Sequence, residues 1–498
     1  MPFINLTNIA DIHEGSWAKS IFKVGKWYMF TSLIIKGLAV FTMPIFTHYL
    51  SPVEIGEYGA LNAMKSILPL IVSFGIDGAF IRFFQLYKQD IKKLKSMFST
   101  SYWFVLIVGF ISMSICFYSF QLNSQYSNYT IALLCFPLIL LQLGQLGIAF
   151  FNQSLESHKT TLFQILATVL GVGLSIILVS HYQMGVLGRL IGDAFIAIVL
   201  MTMVTVYFLR NKYLKFVFNW QYLKEALWFS VPLLPTGIAA WINTQSPVLM
   251  MQQQYPKQDI VGLFSIAASI ATIMYFIIDA ITQVLSPVVM SGLINDRDRT
   301  HKKTRELTLL CMVVVLFAHI GITFFAQEVI MLLSNNNPKY STAYVYVSGL
   351  CIPFLFSIYH RLFSTIISFH QRTVFITIAV LSCASVIYSL NTLLIPKFGA
   401  SAIAMAQTMG AIVMVSIEFY FARKLEKMNL GLWRLAKFLM VYLIAIVLYY
   451  QFFTGFAFSW ALFGLKIVFV LLVALVFVMM GNYQNVLLDL VGRKLGKR

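Results

Sequence analysis

Apolar runs of about twenty residues follow one another from residue 26 to residue 481, separated by short polar joints. A helix rising 1.5 Å per residue needs about 20 such residues to cross the hydrocarbon of a bilayer. Fourteen segments qualify: 26–49, 56–81, 99–120, 129–152, 161–180, 186–209, 226–251, 260–288, 307–332, 344–368, 374–395, 401–421, 437–454 and 459–481. The ten-residue segments of alternating polarity that a transmembrane barrel requires are absent. The pattern predicts an all-α polytopic membrane protein with about 14 transmembrane helices. Pro44, Pro232, Pro235, Pro287 and Pro353 fall inside these runs. Each removes a backbone N–H from the helical ladder and crowds the preceding turn, so kinks are expected there.

Composition agrees: 59% of residues are hydrophobic, 11% charged, and mean hydropathy is +0.81. Soluble domains run about 25% charged. The net charge of +18 suggests nucleic acid at first sight, but its distribution follows topology. Arg82, Lys88, Lys92, Lys93 and Lys95 lie in one joint, Arg210, Lys212, Lys215 and Lys224 in another, and Arg297, Arg299, Lys302, Lys303 and Arg305 in a third. The joint after residue 421 and the C-terminal tail are also basic, whereas the alternate joints hold only Lys257, Lys339 and Lys397. That asymmetry is the positive-inside rule. It places both termini in the cytoplasm, requires an even number of spans, and lays the basic clusters against anionic membrane lipids, with no nucleic-acid partner. The polar N-terminal stretch carries no cleavable signal, so the first span is expected to direct insertion. The five cysteines lie in apolar runs without CxxC spacing and read as small packing residues.

The chain echoes itself. YLSPVEIGEYG (49–59) joins the first two spans and YPKQDIVGLFS (255–265) the seventh and eighth; each has a proline, an acid, then glycine. HYQMGVLGRL (181–190) and IPKFGASAIAM (395–405) pair likewise, with Gly185 and Gly399 in equivalent places. Six spans thus repeat as six, followed by two more. Since six is even, the halves share one orientation and an axis along the membrane normal relates them. The organisation read from this is a cytoplasmic segment 1–25, an N-lobe 26–209, a linker 210–225, a C-lobe 226–421, a linker with two further spans 422–481, and a basic cytoplasmic tail 482–498.

FTMPIFTHYLSPVEIGEYG (41–59), FGIDGAFIRFF (74–84), WFSVPLLP (228–235), VGLFSIA (261–267), VLSPVVMSGL (284–293), the stretch 337–363 and NTLLIPKFGASAIAMAQTMG (391–410) together resemble the polysaccharide transporter (Wzx-like) family. These are lipid-linked oligosaccharide flippases of the multidrug/oligosaccharidyl-lipid/polysaccharide exporter superfamily. The resemblance covers most of residues 20–425 and implies two six-helix lobes around a central cavity, plus two C-terminal helices that form a groove for a lipid tail. The chain departs from many relatives in the seventh span, where NTQSPVLMM (243–251) lacks their aspartate.

Charges inside the spans are the candidate chemistry. Lys36 and Lys65 lie about ten residues into the first and second spans, and Arg361 sits within the tenth. None has an opposite charge within four residues, so each faces water, an acid on another helix, or an anionic ligand. Arg189 and Asp193, four apart, share a helix face and are expected to pair. Asp279 lies deep in the eighth span; Asp77, near Arg82, reads as a structural or gating contact. Glu418, close to Arg423 and Lys424, reads as solvated at the interface, and Lys466 as snorkelling to it. His319 and His360 read as packing residues, and Trp241, Asn243 and Gln245 as helix–helix hydrogen-bonding groups in preference to sugar ligands.

With the resemblance, Lys36, Lys65, Arg361 and Arg189 are implied to bind the substrate, and Asp279, Asp193 and Asp77 to act in coupling or salt bridges. The implied function is translocation of an undecaprenyl-diphosphate-linked oligosaccharide, O-antigen or another surface-polysaccharide repeat unit, across the bacterial cytoplasmic (inner) membrane. A peptidoglycan lipid-precursor flippase and an ion-coupled multidrug exporter are the alternatives. No catalytic constellation or ATP-binding GxxxxGK[ST] loop occurs. The protein is expected to be no enzyme and to need no cofactor beyond H⁺ or Na⁺ as a coupling ion. Polysaccharide polymerase and assembly proteins are its expected protein partners.

Overall fold

The polar joints carry the side chains that start each helix. In the computed structural model, which describes residues 31–481 apart from 32–33, 36, 39–40, 88, 124–125, 155, 257–258, 296, 427–430 and 455–457, Ser51 opens α1 (Pro52–Ser73) with a complete capping box. Its hydroxyl accepts the Glu54 amide while the Glu54 carboxylate accepts the Ser51 amide, and Pro52 occupies the first turn, where its missing N–H is harmless. Asp90 caps α3 (Ile91–Asn123) by accepting the Lys92 and Lys93 amides. The Lys93 amide in particular holds its carboxyl below the usual carboxylate range. Ser127 caps α4 (Asn128–Gln153) in the same way.

Twelve helices among the described residues are long and apolar enough to cross a membrane, or up to thirteen when a bent pair counts as one span. The sequence pattern suggests fourteen; the first, 26–49, lies partly outside the described residues, with 41–49 helical. Three expected spans are broken among the described residues. Span two bends by 54° between α1 and α2 (Ile76–Tyr87), where Phe74 and Gly75 both adopt positive φ. Span seven becomes α7 (Trp220–Ser230), a 3₁₀ turn at Val231–Leu233, α8 (Leu234–Thr244) and α9 (Ser246–Gln254). Pro232, Pro235 and Pro247 each stand at the start of a new segment, where proline is tolerated.

The chain forms two compact units, Met1–Trp241 with Leu333–Asn335, and Ile242–Leu332 with Asn336–Arg498. In the first, α2, α3, α4 and α6 (Gly185–Arg210) meet in a phenylalanine cluster. Phe98 stacks on Phe208 at 4.4 Å, and the Phe150 ring meets Phe84 edge-on at 5.2 Å. Such pairs contribute about 0.5–1.5 kcal/mol beyond their buried area. Small residues let α5 (Ser157–Ser180) and α6 approach closely, as membrane helices do without a hydrophobic drive between them. A Cβ on Gly171 would lie 2.8 Å from the Gly192 carbonyl oxygen, and one on Gly192 at 2.5 Å from the Ser175 Cβ.

In the second unit, α10 (Asp259–Asn295) and α11 (Arg297–Leu333) lead to α12 (Tyr344–Leu355) and α13 (Ser357–Phe369), which break just past Pro353. α14 (Val374–Phe398) and α15 (Ser401–Leu425) form a tightly packed pair. α16 (Leu432–Phe452) and α17 (Trp460–Gly481) pack on α11 through Phe324, which stacks on Phe469 and touches Tyr449.

The sequence echoes have a structural counterpart in each unit. Gly185 takes φ +56°, and a Cβ there would meet Glu54 Oε1 at 2.7 Å. Gly399 takes φ +58° beside Ile260 and Tyr255, whose hydroxyl donates to the Ile395 carbonyl. In both units the joint opening the first helix pair therefore packs on a left-handed glycine between the last two helices of the six.

Gly192→Leu is expected to destabilise the α5–α6 contact by about 1–3 kcal/mol, the usual penalty of overpacking. Gly173→Ala, where an added Cβ meets nothing within 4 Å, is expected to be neutral. Thermal unfolding of the purified variants in detergent checks the contrast.

Candidate functional site

Tyr58 and Lys65 are seven residues apart on α1, two helical turns, and so share a face. Arg189 and Asp193 share a face of α6. These two faces meet inside the first unit. Lys65 Nζ lies 2.6 Å from Asp193 Oδ2, and the Tyr58 hydroxyl donates to the same oxygen at 3.0 Å. The Arg189 guanidinium sits over the rings of Phe46, at 3.8 Å, and Tyr58, at 4.1 Å. The expected Arg189–Asp193 pair is thus replaced: the facing lysine takes the carboxylate, and arginine, more weakly hydrated than an ammonium, stacks on aromatic faces. Lys65 and Asp193 are both partly accessible, with about a fifth of each side chain exposed. Two bases and one acid leave this cluster with a surplus positive charge. Lys36, the third base expected in this lobe, lies outside the described residues.

Neighbouring contacts hold the cluster's helix in place. Trp241 of α8 donates its indole N–H to the Ala63 carbonyl at 2.9 Å and to Ser66 at 3.0 Å, the helix–helix role expected for it. Asp77, exposed at the start of α2, accepts the Ser73 hydroxyl at 3.0 Å across the bend, a local contact at a helix N-terminus. Behind the charged face, Leu187, Ile191 and Ile198 of α6 line a groove of about 1120 Å³ with residues of α3 and α4. No charged side chain borders it.

In the second unit, Arg361 is half-buried on α13 and its guanidinium has no ion-pair partner among the described residues. Asp279 is half-buried on α10, and the Thr282 hydroxyl donates to its backbone carbonyl. Four expectations are corrected here, for Glu418, His360, Lys466 and His319. Glu418 is 0% exposed rather than solvated at the interface: both carboxylate oxygens lie within 3.0 Å of His360 Nδ1 on the facing helix. A second imidazole–carboxylate contact, His370 with Glu426 at 3.1 Å, follows further along. Lys466 is 0% exposed rather than snorkelling, and its Nζ lies 2.6 Å from Glu328 of α11. His319 is likewise more than packing. Its Nε2 contacts the Ser348 carbonyl, which only accepts, so that nitrogen carries the proton and Nδ1 accepts from Tyr442 of α16. None of these partners is close in sequence, so no local spacing signals them.

The fold defines a class. The chain superposes on the lipid II flippase MurJ in an inward closed conformation with a TM-score of 0.68 and 15% identity, covering 94% of this chain and 100% of that one. It superposes on a multidrug resistance MATE family transporter of the MOP superfamily in an inward-facing conformation with a TM-score of 0.59 and 15% identity, covering 79% and 94%. For the Vibrio cholerae MATE transporter VcmN the values are 0.51, 12%, 82% and 97%. The protein is a multi-pass membrane protein with the fold of the MOP-superfamily transporters. Residues 45–338, more than half of the chain, match the family of polysaccharide biosynthesis proteins, and the chain belongs to that family. No curated protein matches it in sequence.

Lys466→Met is expected to strand the Glu328 carboxylate and cost about 3–5 kcal/mol. Lys466→Met combined with Glu328→Gln, which removes both charges, is expected to recover most of that loss. The midpoint of thermal unfolding for the single and double variants checks it.

Proposed function

We propose that the protein is a flippase that carries a polyprenyl-diphosphate-linked oligosaccharide, a surface-polysaccharide repeat unit, across the cytoplasmic membrane by alternating access, without catalysing a covalent step. The observation that carries this reading is the surplus positive charge of the Lys65–Asp193–Arg189 cluster among membrane-spanning helices, in a chain of the polysaccharide biosynthesis family. A diphosphate and its sugars cannot shed their water into hydrocarbon unaided. Lys65 and Arg189 would replace that hydration with charge-assisted hydrogen bonds. On this reading Arg361 is a further substrate-binding candidate of the second unit and Lys36 of the first; Asp279 would couple an ion or balance a base.

A cation exporter is the weaker reading. It calls for free carboxylates, whereas Asp193, the acid of this cluster, is held by Lys65 and Tyr58. A peptidoglycan lipid precursor bears the same diphosphate and would use the same charges; the family match favours a surface polysaccharide.

Export of the glycan, measured at matched protein level in cells carrying variants of the chromosomal gene, tests the proposal. Lys65→Gln and Arg189→Gln together are expected to lower export at least tenfold, and Lys65→Arg to retain part of it, since an ammonium acts as a point charge without fixed geometry. Lys65→Gln with Asp193→Asn separates roles: a purely structural pair is rescued by joint neutralisation, whereas an anion site is not. Normal export from the Lys65→Gln/Arg189→Gln variant overturns the mechanism.

The charge asymmetry further orients the chain with the joint around residues 88–91 in the cytoplasm and the 181–184 joint outside. In a cysteine-free background, Tyr182→Cys is expected to react with a membrane-impermeant maleimide added to intact cells, and Ile91→Cys only after permeabilisation.

A further inference from the structure

A pocket of about 660 Å³ opens between the end of α2 and the start of α7 in the first unit, well apart along α1–α2 from Lys65. Arg82 enters it from α2, its guanidinium 4.5 Å over the ring of Phe229. Stacking on a ring face fixes the plane of the guanidinium and leaves its in-plane N–H donors available. Lys224 enters from α7, one turn before Trp228, and both are exposed. The pocket's acid, Glu225, is already engaged: Tyr87 donates to one oxygen at 3.3 Å and Gln221 to the other at 3.4 Å. Neither Arg82 nor Lys224 has an ion-pair partner among the described residues.

We infer that Arg82, Lys224 and Trp228 form a site for the phosphate headgroup of a membrane-held lipid. Position along the chain points to a lipid rather than a dissolved anion. One segment apolar enough to cross a membrane ends at Phe84 and another begins at Trp220, so both cations sit near the ends of candidate spans, the level of lipid phosphates. The Trp228 side chain, on a residue 85% exposed, is the amphipathic ring that belongs at that interface. Arg82 and Lys224 against the single charge of Glu225 leave the pocket net positive, as a phosphate headgroup requires. On the flippase reading, which this inference deepens, the site receives the polyprenyl diphosphate at the cytoplasmic face before translocation.

The experiment uses full-length protein in neutral detergent, with binding read as the change in tryptophan fluorescence that is lost in Trp228→Phe. Farnesyl diphosphate is the lipid probe; farnesol and inorganic diphosphate are the controls. Saturable binding of farnesyl diphosphate is expected, at least tenfold tighter than either control. Arg82→Gln with Lys224→Gln is expected to weaken it about tenfold or more, as loss of two charge-assisted contacts requires. Lys224→Arg, which keeps the charge at an exposed side chain, is expected to stay within about threefold of the wild type. Unchanged binding in the neutral double variant, or equal binding of farnesol, overturns the site. Equal binding of inorganic diphosphate overturns its assignment to a lipid. If the double variant does not purify as a single species, Lys224→Gln alone, at an exposed side chain, carries the same comparison. Because binding is read without transport, its failure leaves the export proposal standing, and failure of export leaves this site standing.

Discussion

A charge placed in hydrocarbon must find an opposite charge, water or a ligand, and much of this protein's interior is arranged around that requirement. The Lys65–Asp193 contact at 2.6 Å shows how it works. The pair stands among membrane-spanning helices, and because one acid cannot satisfy two bases, Arg189 turns to the rings of Phe46 and Tyr58. Aromatic faces lower the penalty of holding a guanidinium without consuming its donors. The first unit therefore keeps positive charge in reserve, which is what an anionic headgroup needs.

The second unit treats its charges differently. Lys466 and Glu328, fully and nearly buried, join α17 to α11, and His319 joins α11 to α16 through Tyr442. Glu418 and Glu426 are both buried against histidines of the facing segment. Buried ion pairs add little net stability but make the wrong packing expensive, because a misplaced helix leaves one charge alone. These contacts specify which helix faces meet. Arg361, adjacent to His360, stands apart from them as the half-buried base without an ion-pair partner among the described residues.

Backbone groups impose a second constraint. In lipid every N–H and C=O must be satisfied within the protein, so broken helices persist only where neighbours cover them. The bend after α1 is covered by the Ser73 hydroxyl, which donates to Asp77 and accepts the Gly75 amide. The segmented span seven begins each new piece with a proline in its first turn, where no donor is lost. The break at Val231–Leu233 follows closely on Trp228 and Phe229, which line the α2–α7 pocket.

The sequence by itself determined what depends on neighbours along the chain. Twenty-residue apolar runs marked the spans, and the repeated joints marked Gly185 and Gly399 as equivalent before their shared positive φ was known. The same local reasoning paired Arg189 with Asp193 and sent Glu418 and Lys466 to the interface, and there it failed. Their actual surroundings come from residues 128, 58 and 138 positions away. Periodicity says which residues share a face, but not which other helix that face meets. A buried charge takes the partner that tertiary packing brings within about 3 Å, since Coulomb attraction in a low dielectric outweighs any preference for a neighbour in sequence.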